Sequence, residues 1–128
     1  MRQKLFIILL FAAVLVRPGL AAAVTDEDFR ARTTGQLLDL CTASADDPNA
    51  REAIQFCRGY LLGAYAYYVA EISGPEGKPL FCLPDPEPTR NEAIAMFLKW
   101  VKDHPQYMDQ PPVETEFRFL IETWPCKK

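Results

Sequence analysis

From Ile54 to Ile72 apolar side chains return at helical spacing. Ile54, Cys57, Leu61, Tyr65 (or Ala64), Tyr68 and Ile72 fall on one stripe, and Phe56, Tyr60 and Tyr67 widen it. This predicts a long central helix, opened by Asp47 as N-cap with Pro48 in its first turn and closed at Ser73-Gly74-Pro75. Gly59 and Gly63, one turn apart, suggest a close crossing with another helix. Before it, Thr33 or Thr34 caps a short helix carrying Leu37, Leu38, Leu40 and Cys41. After it, Glu76 to Pro88 is a loop rich in proline, in which Leu80-Phe81-Cys82-Leu83 forms an apolar extended piece. Thr89-Arg90-Asn91-Glu92 is a capping box that starts a third helix, with Ile94, Phe97, Leu98 and Val101 inward and His104-Pro105 at its end. Pro111-Pro112 opens a fourth helix, for which Phe117, Leu120, Ile121 and Trp124 are the expected buried stripe and Glu114 and Glu116 surface residues at its positive end. The fold class expected is all-α: a small four-helix domain with short connections and one pinned loop.

The first residues have a different character. Arg2 and Lys4 precede the apolar run Leu5 to Val16. Pro18-Gly19 and Ala21-Ala22-Ala23 then follow, in the order of a secretory signal peptide. The run is shorter than the roughly 20 residues that span a bilayer. We expect a leader at 1–23 cut after Ala23, a flexible arm at 24–32 and a helical domain at 33–128, exported to the periplasm with no stable membrane anchor left after cleavage. Losing Arg2, Lys4 and Arg17 leaves eleven basic residues against seventeen acidic ones, a net charge of −6. That balance argues against nucleic acid as a partner. All four cysteines, Cys41, Cys57, Cys82 and Cys126, lie beyond the leader, and an even number in a small exported domain reads as two disulfides, with three pairings possible. Their wide spacing, without a C-x-x-C pair and with one His in the chain, argues against a metal site, and no cofactor motif is present.

The order of these pieces resembles a known family. Leu37 to Cys41, then Phe56-Cys57-Arg58-Gly59-Tyr60 with Gly63, Phe81-Cys82-Leu83-Pro84, a capped helix closing in His104-Pro105 and a last helix closing in Trp124-Pro125-Cys126-Lys127 are similar to the Rap/Tai immunity proteins of type VI secretion. The likeness covers about Thr33 to Lys128. It departs at the aromatic run Tyr65, Tyr67, Tyr68 and in the long proline-rich loop. The resemblance implies a small periplasmic helical protein that binds and neutralises a peptidoglycan-cleaving amidase effector, often as a homodimer, with a loop occluding the effector's active site.

Enzyme chemistry finds little footing. His104, the one histidine, sits at a helix end with no nucleophile paired to it, and the acidic pairs Asp46-Asp47 and Glu114-Glu116 have no calcium-loop order. A non-catalytic binding protein is expected. The candidate partner-binding segment is the polar connector between the third and fourth helices: His104, Gln106, Tyr107, Met108, Asp109 and Gln110. Gly74 to Pro88 is a second candidate. For the disulfides we expect Cys41–Cys57 and Cys82–Cys126, since each joins a turn-adjacent cysteine to a neighbouring element. Rival functions are an acid-stress chaperone and a carrier of apolar ligands, which would need a dry cavity.

Overall fold

The computed structural model describes residues 23–127; the expected leader, apart from Ala23, lies outside them. Four α-helices follow in chain order, α1 Thr34–Cys41, α2 Ala50–Ile72, α3 Arg90–Lys102 and α4 Pro112–Thr123, with short 3-10 turns at Asp28–Arg30 and Pro105–Tyr107. No strand occurs among the described residues. Both expected disulfides are formed, Cys41–Cys57 between α1 and α2, and Cys82–Cys126 between the proline-rich loop and the segment after α4. A bridge of this kind typically adds about 2–4 kcal/mol to a small domain.

The core takes Leu37 and Leu40 from α1, Ala53, Cys57, Leu61 and Tyr68 from α2, Phe97 and Val101 from α3, and Phe119 and Leu120 from α4. Each fully buried aliphatic or aromatic side chain contributes about 1.5–3 kcal/mol through loss of water contact. The proline-rich loop is fixed to this core at three points. Phe81 stacks on Tyr68 with ring centroids 4.9 Å apart, the Tyr68 hydroxyl accepts from the Leu80 amide at 2.8 Å, and the Cys82 amide donates to the Trp124 carbonyl at 2.8 Å.

Local chemistry sets two of the helix starts as expected. Thr33 and Gln36 form a reciprocal capping box on α1, and Thr89 and Glu92 form one on α3. Hydrogen bonds from the Thr89 hydroxyl and amide hold the Glu92 carboxyl below its usual value.

Four expectations about local detail change. Asp47 does not cap α2, which begins at Ala50 with Asn49 at the N-cap position. The Asp47 carboxylate is occupied instead by the Asn49 amide (2.8 Å) and the Val24 amide (2.7 Å). Gly59 and Gly63 mark no close crossing. A β-carbon at either would meet nothing within 4 Å, and Tyr67 nearby is 68% exposed, so that face of α2 is open. Residues 24–32, expected as a flexible arm, lie against the bundle: Val24 and Ala31 are buried and the Phe29 ring meets Phe56 edge-on at 5.6 Å. The buried face of α4 is rotated by about one position from the expected stripe, to Pro112, Thr115, Glu116, Phe119 and Leu120, which leaves Ile121 39% exposed.

Candidate functional site

The connector from α3 to α4 is built from its two ends. α3 stops at Lys102 because Pro105 cannot continue it, and Pro105 instead starts a one-turn 3-10 helix. The His104 ring folds back, and its Nδ1 donates to the Trp100 carbonyl at 2.7 Å. Its ring stacks on Trp100 at 4.0 Å between centroids, while Tyr107 stacks on the same indole at 5.5 Å with the planes 4° apart. Arg118 of α4 reaches across so that its guanidinium carbon is 4.9 Å from the Tyr107 ring centre, and Glu114 pairs with Arg118 at 3.5 Å. A cation over a tyrosine face is worth about 0.5–1 kcal/mol at an exposed site. The result is a stacked cluster running from α3 through the connector to α4.

The main chain of the connector is also held. The Gly35 amide donates to the Met108 carbonyl at 2.9 Å, and the Thr34 amide to the Gln110 carbonyl at 2.8 Å. These are free N–H groups of the first turn of α1, satisfied by a segment distant along the chain. The Thr34 hydroxyl adds bonds to the Gln110 carbonyl (2.9 Å) and to the Thr115 hydroxyl (2.8 Å), the latter fully buried. Of the residues singled out in the sequence, His104, Tyr107 and Met108 are half-buried and pack inward, whereas Gln106, Asp109 and Gln110 are exposed. The structure brings His104 and Tyr107 together and directs Met108 to the core. Arg118, Trp100 and the start of α1 complete the surface. Sequence reasoning does not join them to the connector, because stacking and main-chain bonding across the bundle leave no local pattern.

On another side of α4 lies a cavity of about 120 Å³. Leu61 and Tyr65 of α2, Arg90, Ile94 and Phe97 of α3, Leu83 and Glu87 of the proline-rich loop, and Phe119, Leu120 and Trp124 line it, together with Glu116. Glu116, expected at the surface, is 6% exposed, and its Oε2 has no hydrogen-bond partner. Burial pushes its carboxyl up to about 8, since an isolated charge in an apolar setting is costly and the group keeps its proton instead. Tyr60 is raised as well, first by burial and then by the Glu116 charge. Glu114 and Glu116 therefore do not form an acid pair: one is a surface ion-pair partner and the other is sealed inside.

Among the described residues no group of three His, Cys, Asp or Glu side chains gathers in a metal-binding arrangement. No helix among them is long and apolar enough to cross a membrane.

No curated protein and no solved structure matches the chain. A family model does: that of the Rap1a immunity proteins, over residues 33–126, from the capping threonine of α1 to the last disulfide cysteine. The chain belongs to the Rap1a immunity protein family.

Proposed function

We propose that the protein is exported to the periplasm, loses residues 1–23, and there binds and neutralises a peptidoglycan-amidase effector. The observation that carries this reading is membership of the Rap1a immunity proteins over nearly all of the described chain. Disulfides fit an oxidising compartment. The connector 104–110 supplies the contact surface. Its backbone is pinned by α1, His104 and Tyr107 stack on Trp100, and Arg118 lies over Tyr107, so little ordering entropy remains to be lost on binding. It presents Gln106, Asp109 and Gln110 outward, and the net charge of −6 favours encounter with a basic partner.

The test is a titration of oxidised protein (residues 24–128) into purified cell-wall amidase effectors from the same bacterium, with release of cleaved peptidoglycan as readout. Activity of one effector should fall to background at a stoichiometric ratio. The double substitution Gln106→Ala, Asp109→Lys should weaken inhibition at least tenfold, a loss of about 1.4 kcal/mol or more, while the melting temperature stays unchanged. Undiminished hydrolysis by every such effector at excess protein would refute the reading.

A further inference from the structure

Val24 is met by a carboxylate from a distant turn. Val24 is 6% exposed, although Ala23 beside it is exposed and the following Thr25 and Asp26 are polar and exposed. The Val24 nitrogen lies 2.7 Å from Asp47 Oδ2. Asp47 Oδ1 is engaged separately by the Asn49 amide at 2.8 Å, so the carboxylate is oriented by its own turn and offers one oxygen to Val24. A second clasp follows, in which the Thr25 amide and hydroxyl both donate to Asp28 Oδ2 at 2.8 Å. Among the described residues, the first of these contacts is made by Val24, the residue that follows Ala21-Ala22-Ala23.

We propose that Asp47 is the receptor for a free α-ammonium group at Val24, so that removal of the leader completes the fold with an ion pair. This rests on the export reading above. Hydrolysis of the Ala23–Val24 bond by a signal peptidase consumes one water. The carbonyl carbon of Ala23 takes the hydroxyl and leaves as a carboxylate, and the Val24 nitrogen becomes an amine that is protonated at neutral pH. The donor at Asp47 Oδ2 changes from a neutral amide to a cation, and charge-assisted hydrogen bonds are roughly twice as strong as neutral ones. Because the Val24 side chain is already buried, the new charge arises at a fixed place and little further ordering is needed. In the precursor the same nitrogen is an amide and makes the weaker bond. Cleavage therefore tightens the join between the amino-terminal segment and the turn that precedes α2.

The experiment compares three forms of the chain: starting at Val24, starting at Ala22, and starting at an acetylated Val24, each with Asp47 and with Asp47→Asn. Amino-terminal sequencing of the protein recovered after export should read Val-Thr-Asp. The free Val24 form should melt about 4–8 °C above the other two, and Asp47→Asn should erase that difference. The bond from the Asn49 amide is disturbed equally in all three forms and so cancels. A mature start at a residue other than Val24 would overturn the proposal while leaving export intact. An equal loss on Asp47→Asn in the free and acetylated forms would reduce the contact to an ordinary amide hydrogen bond and overturn it too. Absence of the chain from the periplasm would refute the export reading itself.

Discussion

Thr115 and Glu116 are neighbours on α4, both buried and both polar, yet they are treated in opposite ways. The Thr115 hydroxyl meets Thr34 Oγ1 at 2.8 Å and sits against the main chain of the connector. Glu116 faces a cavity and has an oxygen with no partner. A satisfied buried polar group fixes one arrangement of its neighbours, and here it ties α1 to α4 and so sets the connector. An unsatisfied one costs stability and restrains nothing. One helix turn therefore contains both a positioning device for the connector and a weak point of the core.

The sharpest way to separate them is pH. In the unfolded chain a glutamate titrates near 4.5, and in the folded chain Glu116 titrates near 8. The folded state binds the extra proton, so the stability linked to this group is fully present below the unfolded value. It is lost as pH rises through the interval up to about 8. We expect stability to fall by on the order of 3 kcal/mol between pH 5 and pH 8, since each pH unit crossed between those two values costs about 1.4 kcal/mol, measured by urea unfolding. Glu116→Leu should flatten that profile and leave the protein more stable than the wild type at pH 8. A wild-type profile that is already flat would mean that Glu116 has a charged partner.

A smaller effect is expected at the satisfied residue. Thr34→Val removes the hydroxyl between Gln110 and Thr115 and should cost about 1–3 kcal/mol. The double substitution with Thr115→Val should cost no more than Thr34→Val alone, because no buried hydroxyl is then left without its mate. Additive losses would show that the two hydroxyls act separately. The smallest effect comes from Gly63→Ala on the open face of α2, where a gain of about 0.5–1 kcal/mol is expected from helix propensity alone. A loss there would reveal that something packs on that face in solution.

What was legible in the sequence is what is encoded within a few residues. Thr89 and Glu92 are close enough along the chain to define their own cap, and the stops at Ser73-Gly74-Pro75 and His104-Pro105 are equally local. The Cys41–Cys57 pairing could be reasoned out because that bridge joins consecutive helices, and Cys82–Cys126, 44 residues apart, is then the pair that remains. Asp47 misled for a non-local reason: its carboxylate is claimed by Val24, 23 residues away, and a turn then delays α2 to Ala50. The rotation of α4 was likewise hidden. Phe117, Phe119, Leu120 and Ile121 offer two apolar faces, and the choice falls to contacts outside the helix. Phe119 meets Phe97 at 5.6 Å and Trp124 at 5.7 Å between ring centroids, which turns Glu116 inward. The connector was recognisable as a candidate from its composition, but its rigidity was not, since Met108 and Gln110 are held by their carbonyls, which every residue has.

The two disulfide rings follow one another along the chain, the second opening only after the first has closed. On the export proposed above, with the chain emerging amino end first into an oxidising space, Cys41 and Cys57 come together before Cys82 appears, and Cys126 arrives last. An oxidant that joins each arriving cysteine to the one still unpaired makes the native pairs in order of arrival. Of the three possible pairings, this is the one that needs neither a waiting thiol held open across another bridge nor a later exchange step. Oxidation can keep pace with delivery.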